Sequence, residues 1–217
     1  MTLTVARVGV TDAEHRAAWA TIEEWLRMIC TDVSVDPKTG KVTMVGPAPG
    51  HRSGCDCLRK LINSKRSVDI RPLMHGTNSP TGTGKPLNKM GGGCTKPTNP
   101  NGACEQPGGP GPGSDAHVYI DLNDNDGKHY GHGYPMWFVL AHELTTGHAS
   151  HVIEGKAKPV RSREEYDTIV CEYGHLVEDP NLVRRDPNNP SGARLAPDAP
   201  VPPYQAPAKE SEEDEEW

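Results

Sequence analysis

In the first half of the chain, some segments space their apolar residues as a helix does, and others alternate apolar and polar residues as a strand does. Thr11 and Glu14 have the spacing of a capping box, which satisfies the first free amides of a helix. Apolar residues then recur every three or four positions, which predicts a helix with one buried face: Trp19, Ile22, Leu26 and Ile29. Two alternating runs, 33–35 and 42–45, flank a Pro/Gly turn and predict a hairpin.

The middle of the chain predicts fewer regular elements. A helical pattern covers residues 54–64, and a short strand follows at 67–70. From 75 to 114 the sequence is dominated by Gly, Pro, Asn and Thr without apolar periodicity, which predicts a long loop. A strand is expected at 117–122.

Pro135 opens a strongly apolar segment that predicts a buried helix, with Gly155 as its terminator. A last helix should begin at Ser162, and residues 181–217 are Pro-rich and acidic enough to predict disorder. We therefore divide the chain into an N-terminal helix and hairpin (1–50), a core (51–180) and a tail. The expected fold is α+β, with a small, mostly antiparallel sheet packed on the helix after Pro135 and on the last helix.

Composition and charge argue against nucleic-acid binding and against a membrane-spanning helix. The formal net charge is −6, but residues 209–217 hold one Lys against six acidic side chains, so the rest is nearly balanced. Lys and Arg form no basic stripe, which argues against nucleic-acid binding. No apolar run approaches the roughly 20 residues of a membrane-spanning helix. The N-terminus lacks an apolar stretch of signal-peptide length, so we expect any export to use a signal-independent route.

Cysteine spacing gives little support for a structural zinc site, because no CxxC pair is present. The six cysteines are Cys30, Cys55, Cys57, Cys94, Cys104 and Cys171. Cys94 and Cys104 bracket a Gly/Pro/Asn segment and could form a disulfide that restrains it, which would imply an oxidising compartment. The others could equally be free and buried.

The most informative segment follows the apolar helix entry. His142 and Glu143 begin a motif close to HExxH, in which two imidazoles four residues apart bind zinc and the glutamate serves as general base. Here the next histidine, His148, is six residues away, and a regular helix would rotate it by roughly 120°. The helix could unwind at 145–147, His151 could replace His148, or the site could be inactive; we favour unwinding, since glycine and local bulges permit it.

A third zinc ligand is expected downstream of the histidines. Glu172 is our candidate, because it is central in the last predicted helix and a carboxylate there rarely lacks a partner. Of the other candidates, Glu164 and Glu165 already have a capping explanation, and Glu178 directly precedes the Asp-Pro pair at which the helix should end. Tyr173 and His175 could orient the ligands or stabilise an oxyanion, although ordinary packing explains them equally well.

The order of these features resembles the NleD-like zinc metallopeptidase effectors of bacterial secretion systems and the peptidase domains fused to VgrG spike proteins. The resemblance covers residues 52–178 and depends mainly on Leu-Ala-His-Glu-Leu (140–144) and Gly-His-Ala (147–149). It implies a zincin-like fold, zinc bound by His142, His148 and Glu172, and Glu143 as the base. It also implies a secreted toxin that cleaves a protein or peptide, with a cognate immunity or delivery protein as partner.

The sequence therefore predicts a zinc-dependent peptidase whose metal-bound water attacks a peptide bond. A non-catalytic zinc-binding or interaction module is the alternative if the displaced histidine closes the water site. A metal-dependent nuclease is a weaker alternative, because Lys and Arg are scattered along the chain.

Overall fold

The computed structural model of the protein describes residues 2–7, 11–44, 53–74, 87, 92–103, 108–122, 135–144 and 148–156. Several predictions lie outside these residues: Glu172, Tyr173 and His175, the helix from Ser162, the tail, and Cys104 with its proposed partnership. Within the described part, no helix is both long and apolar enough to cross a bilayer.

The predicted α+β class is confirmed, with helices packed beside a small mixed sheet. The elements in chain order are β1 (Leu3–Val5), α1 (Asp12–Ile29), β2 (Val33–Val35), β3 (Val42–Met44), α2 (Ser53–Ile62), β4 (Val68–Leu73), β5 (Gly93–Pro97), α3 (Pro100–Ala103), β6 (Ala116–Asp121), α4 (Met136–Leu144) and α5 (Ala149–Glu154). β2 and β3 form the predicted hairpin, and the other four strands form one sheet in the order β1-β4-β6-β5.

The expectation of a mostly antiparallel main sheet is wrong. β1 pairs with β4 in parallel, β4 pairs with β6 in parallel, and only β5 runs antiparallel to its neighbour β6. Parallel neighbours need long crossover connections. α1, the hairpin and α2 connect β1 to β4, and the Gly/Pro-rich segment connects β4 to β6.

The prediction of a structureless loop from 75 to 114 is also wrong for its second half. β5 and α3 lie inside it. The β5 sequence, Gly-Cys-Thr-Lys-Pro, shows no apolar alternation, so its extended conformation comes from pairing with β6 rather than from local propensity.

One face of the sheet and the helices share a single core. Val5, Ile70, Val118 and Thr95 stand in register across the four strands and so point to the same face. α1 begins at the predicted capping box, with Thr11 Oγ1 accepting from the Glu14 amide at 3.2 Å. Its apolar stripe is buried as predicted, at Trp19, Ile22, Leu26 and Ile29, and packs against α4.

A disulfide between Cys30 and Cys55 joins the C-cap of α1 to the first turns of α2. Both cysteines are buried, at 2% and 0% exposure. Sequence spacing did not indicate this pair, because its members are 25 residues apart and meet only through the packing of the two helices.

Candidate metal centre

The helix that carries the His-Glu motif ends before His148, and residues 145–147, where unwinding was predicted, lie outside the described residues. α4 ends at Leu144, and α5 begins at Ala149 with His148 as its N-cap. The backbone of His148 has φ −114° and ψ −99°, which is not helical. His142 and His148 therefore belong to two separate helical segments, and the rotation that a continuous helix would impose does not apply.

This interruption brings the two imidazoles together. His148 Nε2 lies 3.0 Å from His142 Nε2, and the ring centroids are 4.7 Å apart. Two nitrogens bound tetrahedrally to one zinc ion, each at about 2.0–2.1 Å, lie about 3.3 Å apart. The observed 3.0 Å is the length of a hydrogen bond between the two rings, and it is about 0.3 Å shorter than the spacing at a shared zinc, which both rings could bind once each carries its proton on Nδ1.

Glu143 completes the group. One ligand atom from each of His142, Glu143 and His148 lies within 4.8 Å of the others. The two histidines are partly exposed, whereas Glu143 is only 7% exposed. In HExxH hydrolases two imidazoles bind zinc and the neighbouring glutamate serves as general base, and these three side chains lie at distances that suit those roles. His151, the alternative ligand, is buried in α5 and does not belong to this group of described residues.

Buried apolar side chains fix α4 and α5 so that His142, Glu143 and His148 lie next to one another. Leu140, Ala141 and Leu144 are buried on α4 and fix the helix beside the core. On α5, Ala149 and Val152 are buried in the same way, so the N-terminal end of α5 meets the C-terminal end of α4.

Two residues of β5 that the sequence did not single out contact Glu143. Thr95 Oγ1 lies 2.7 Å from Glu143 Oε2 and 3.1 Å from the main-chain oxygen of Glu143. Gly93 lies so close that a Cβ atom there would stand 2.8 Å from Glu143 Cγ. Both residues occur in the segment predicted as loop, where no local pattern indicated a strand beneath the site.

A short segment before β6 forms hydrogen bonds with the C-terminal end of α5. The amide of Ser114 donates to the carbonyl of Val152 at 2.9 Å, and the amide of Gly111 donates to that of Gly155 at 2.8 Å. We call residues 111–114 the strap. It provides a donor to the carbonyl of the C-cap residue Gly155 and shares the carbonyl of Val152 with the Gly155 amide, so it stabilises the C-terminal end of α5.

Comparisons with protein families, with curated proteins and with solved structures found no match for this chain. Function is therefore inferred from the chemistry of this site.

Proposed function

We propose that the protein is a zinc-dependent peptidase whose metal is held by His142 and His148 and whose general base is Glu143. The observation that supports this most is the 3.0 Å approach of the two Nε2 atoms across a helix break, beside a buried carboxylate. Glu172 remains our prediction for the third ligand.

Zinc bound here would supply a coordinated water with a pKa near 7 and would polarise the scissile carbonyl. The side chains of the protein would bind the metal and transfer the protons. His142 and His148 present lone pairs, Glu143 accepts the proton of the attacking water, and the same carboxyl returns it to the leaving amine. Both histidines are partly exposed, so part of each imidazole is accessible to a substrate.

The biological setting is proposed from the resemblance to secretion-system effectors. The substrate is then a protein of a recipient cell, and an immunity or delivery protein is the expected partner. The buried Cys30–Cys55 disulfide fits such a setting, because disulfides persist in oxidising compartments.

The test is zinc content and peptide hydrolysis of the purified full chain and its variants. We expect about one zinc per chain in the wild type, and its loss in His142→Ala, His148→Ala and Glu172→Ala. Glu143→Gln should retain zinc but lose hydrolysis of an unfolded protein such as casein by at least roughly a hundredfold. His151→Ala, on the same helical segment, and His117→Ala, on the sheet, are the controls and should retain zinc.

Each other outcome has a distinct meaning. Zinc that survives the His142 and His148 changes would contradict the assigned ligands. Zinc bound as expected, with no hydrolysis by the wild type, would favour the non-catalytic zinc module.

A further inference from the structure

The carboxylate of Glu143 is almost buried, and it accepts a short hydrogen bond from Thr95. Burying an ionised carboxylate is costly unless hydrogen bonds replace its water. Thr95 Oγ1, at 2.7 Å from Oε2, provides such a bond, and charge-assisted bonds of this length are among the stronger ones in proteins. A hydroxyl has only one proton, so the shorter contact to the carboxylate takes it in preference to the main-chain oxygen at 3.1 Å.

The same strand holds Glu143 from a second side. Gly93 and Thr95 are two residues apart on β5, so they face α4 together. A Cβ atom at Gly93 would lie 2.8 Å from Glu143 Cγ and 3.1 Å from Oε1. Bare backbone at this position therefore lets Glu143 lie against β5, while the hydroxyl two residues later holds one carboxylate oxygen.

We propose that Thr95 is a positioning residue that fixes the Glu143 carboxylate beside the two imidazoles. This inference rests on the proposed function. A glutamate side chain has three rotatable bonds, and the last of them has a broad energy well, so α4 alone does not fix the carboxylate plane. A catalytic group must be held within about 0.5 Å of its productive position. The Thr95 bond to Oε2 supplies that restraint and leaves Oε1 for the water proton.

The experiment compares Thr95→Val, which has the same shape but no hydroxyl, with Thr95→Ser, which keeps the hydroxyl. Thr98→Val is the matched control, because Thr98 follows β5 and its hydroxyl contacts Ser114 and Asp115 instead. Four quantities are measured on the zinc-loaded full chain: zinc content, kcat and KM for a casein-derived peptide, and the affinity for a peptide hydroxamate, whose proton needs the Glu143 carboxylate as acceptor.

We expect Thr95→Val to lower kcat and the hydroxamate affinity by about tenfold, the loss of one hydrogen bond to a charged group, with zinc content and KM unchanged. Thr95→Ser should restore both values, and Thr98→Val should match the wild type. If Thr95→Val does not fold, Thr95→Ala takes its place.

The failures are distinguishable. Wild-type kcat and hydroxamate affinity in Thr95→Val would overturn the positioning role and leave the peptidase proposal intact. An equal loss in Thr95→Ser would assign the effect to packing of the methyl group and also overturn it. A wild type without zinc or without hydrolysis would overturn the proposed function and this inference together.

Discussion

At the scale of single residues, Gly113 sets how closely the strap approaches α5. Its φ is +78°, and a Cβ atom there would lie 2.2 Å from the carbonyl oxygen of Ile153. Any side chain would therefore combine an unfavourable backbone conformation with a collision against main chain that cannot rotate away.

Gly113→Ala should lower the free energy of unfolding by more than the roughly 1–2 kcal/mol that a left-handed conformation alone costs an alanine. Gly108→Ala is the control, because Gly108 also has a positive φ, +107°, but no atom of the described residues lies within 4 Å of its Cβ position. Urea unfolding of both variants separates the two effects. If both variants lose the same free energy of unfolding, the strap moves to make room for the added Cβ atom without a measurable loss of stability.

The site was predictable in part at this scale. His142 and Glu143 were recognisable because the roles that we propose for them need neighbouring residue types on one helix, which the sequence records directly. Their meeting with His148 depended on a helix break that sequence could only suggest. Thr95 and Gly93 could not be predicted, because their contact with Glu143 arises from the packing of β5 against α4, in which Thr95 lies 48 residues from Glu143, and it leaves no local pattern.

At the scale of elements, α5 is tied to α2 by a carboxylate between two ammonium groups. Glu154 lies 2.7 Å from Lys60 and 2.9 Å from Lys156. Burial acts to raise the pKa of this carboxyl, but the hydrogen bonds and charges of the two lysines outweigh it and hold the pKa below its ordinary value of 4.5.

This shift predicts a loss of stability in acid. A carboxyl whose pKa is lower in the folded state stabilises the fold above its unfolded pKa, and that contribution disappears as the pH falls through the folded pKa. Glu154→Gln should therefore weaken the protein at neutral pH and reduce its sensitivity to pH below 4.5. Urea unfolding across that range is the measurement. Glu23→Gln, which removes a surface pair with Arg27 within α1, should change little.

Elements with a strong local signal were predicted and are present. The capping box and apolar stripe of α1, the hairpin, α2 and β6 each follow from periodicity or turn chemistry within their own residues. β1 and β5 were not predicted, because each is a short strand that becomes extended only through its neighbour. The parallel pairings escaped prediction for the same reason, since strand order is a property of the assembled sheet.

At the scale of the whole molecule, the Cys30–Cys55 disulfide fastens α1 and α2, and both helices contact α4. Closing a loop of this length restricts the unfolded chain. Replacing both cysteines by serine should lower the free energy of unfolding by about 3 kcal/mol. Cys57→Ser, two residues along α2, leaves the disulfide intact and is the control. Denaturant unfolding that gives the double variant and the wild type the same midpoint would contradict this role.

The parallel pairing of β1, β4 and β6 also means that the sheet cannot assemble until late in synthesis of the chain. Thr4 of β1 contacts Asp69 of β4, which is 65 residues further along the chain. At about 5–20 residues per second, a ribosome takes roughly 3–13 s to make that interval. During that interval, among the described residues, β1 can pair only with residues 40–41, through the bridge between Thr4 and Lys41, and the edge of β1 that pairs with β4 stays open. β4 in turn lacks β6 until residues 116–121 are made. The nascent chain thus exposes apolar strand edges until most of the sheet has been translated, which is the interval in which chaperone binding or aggregation would compete with folding.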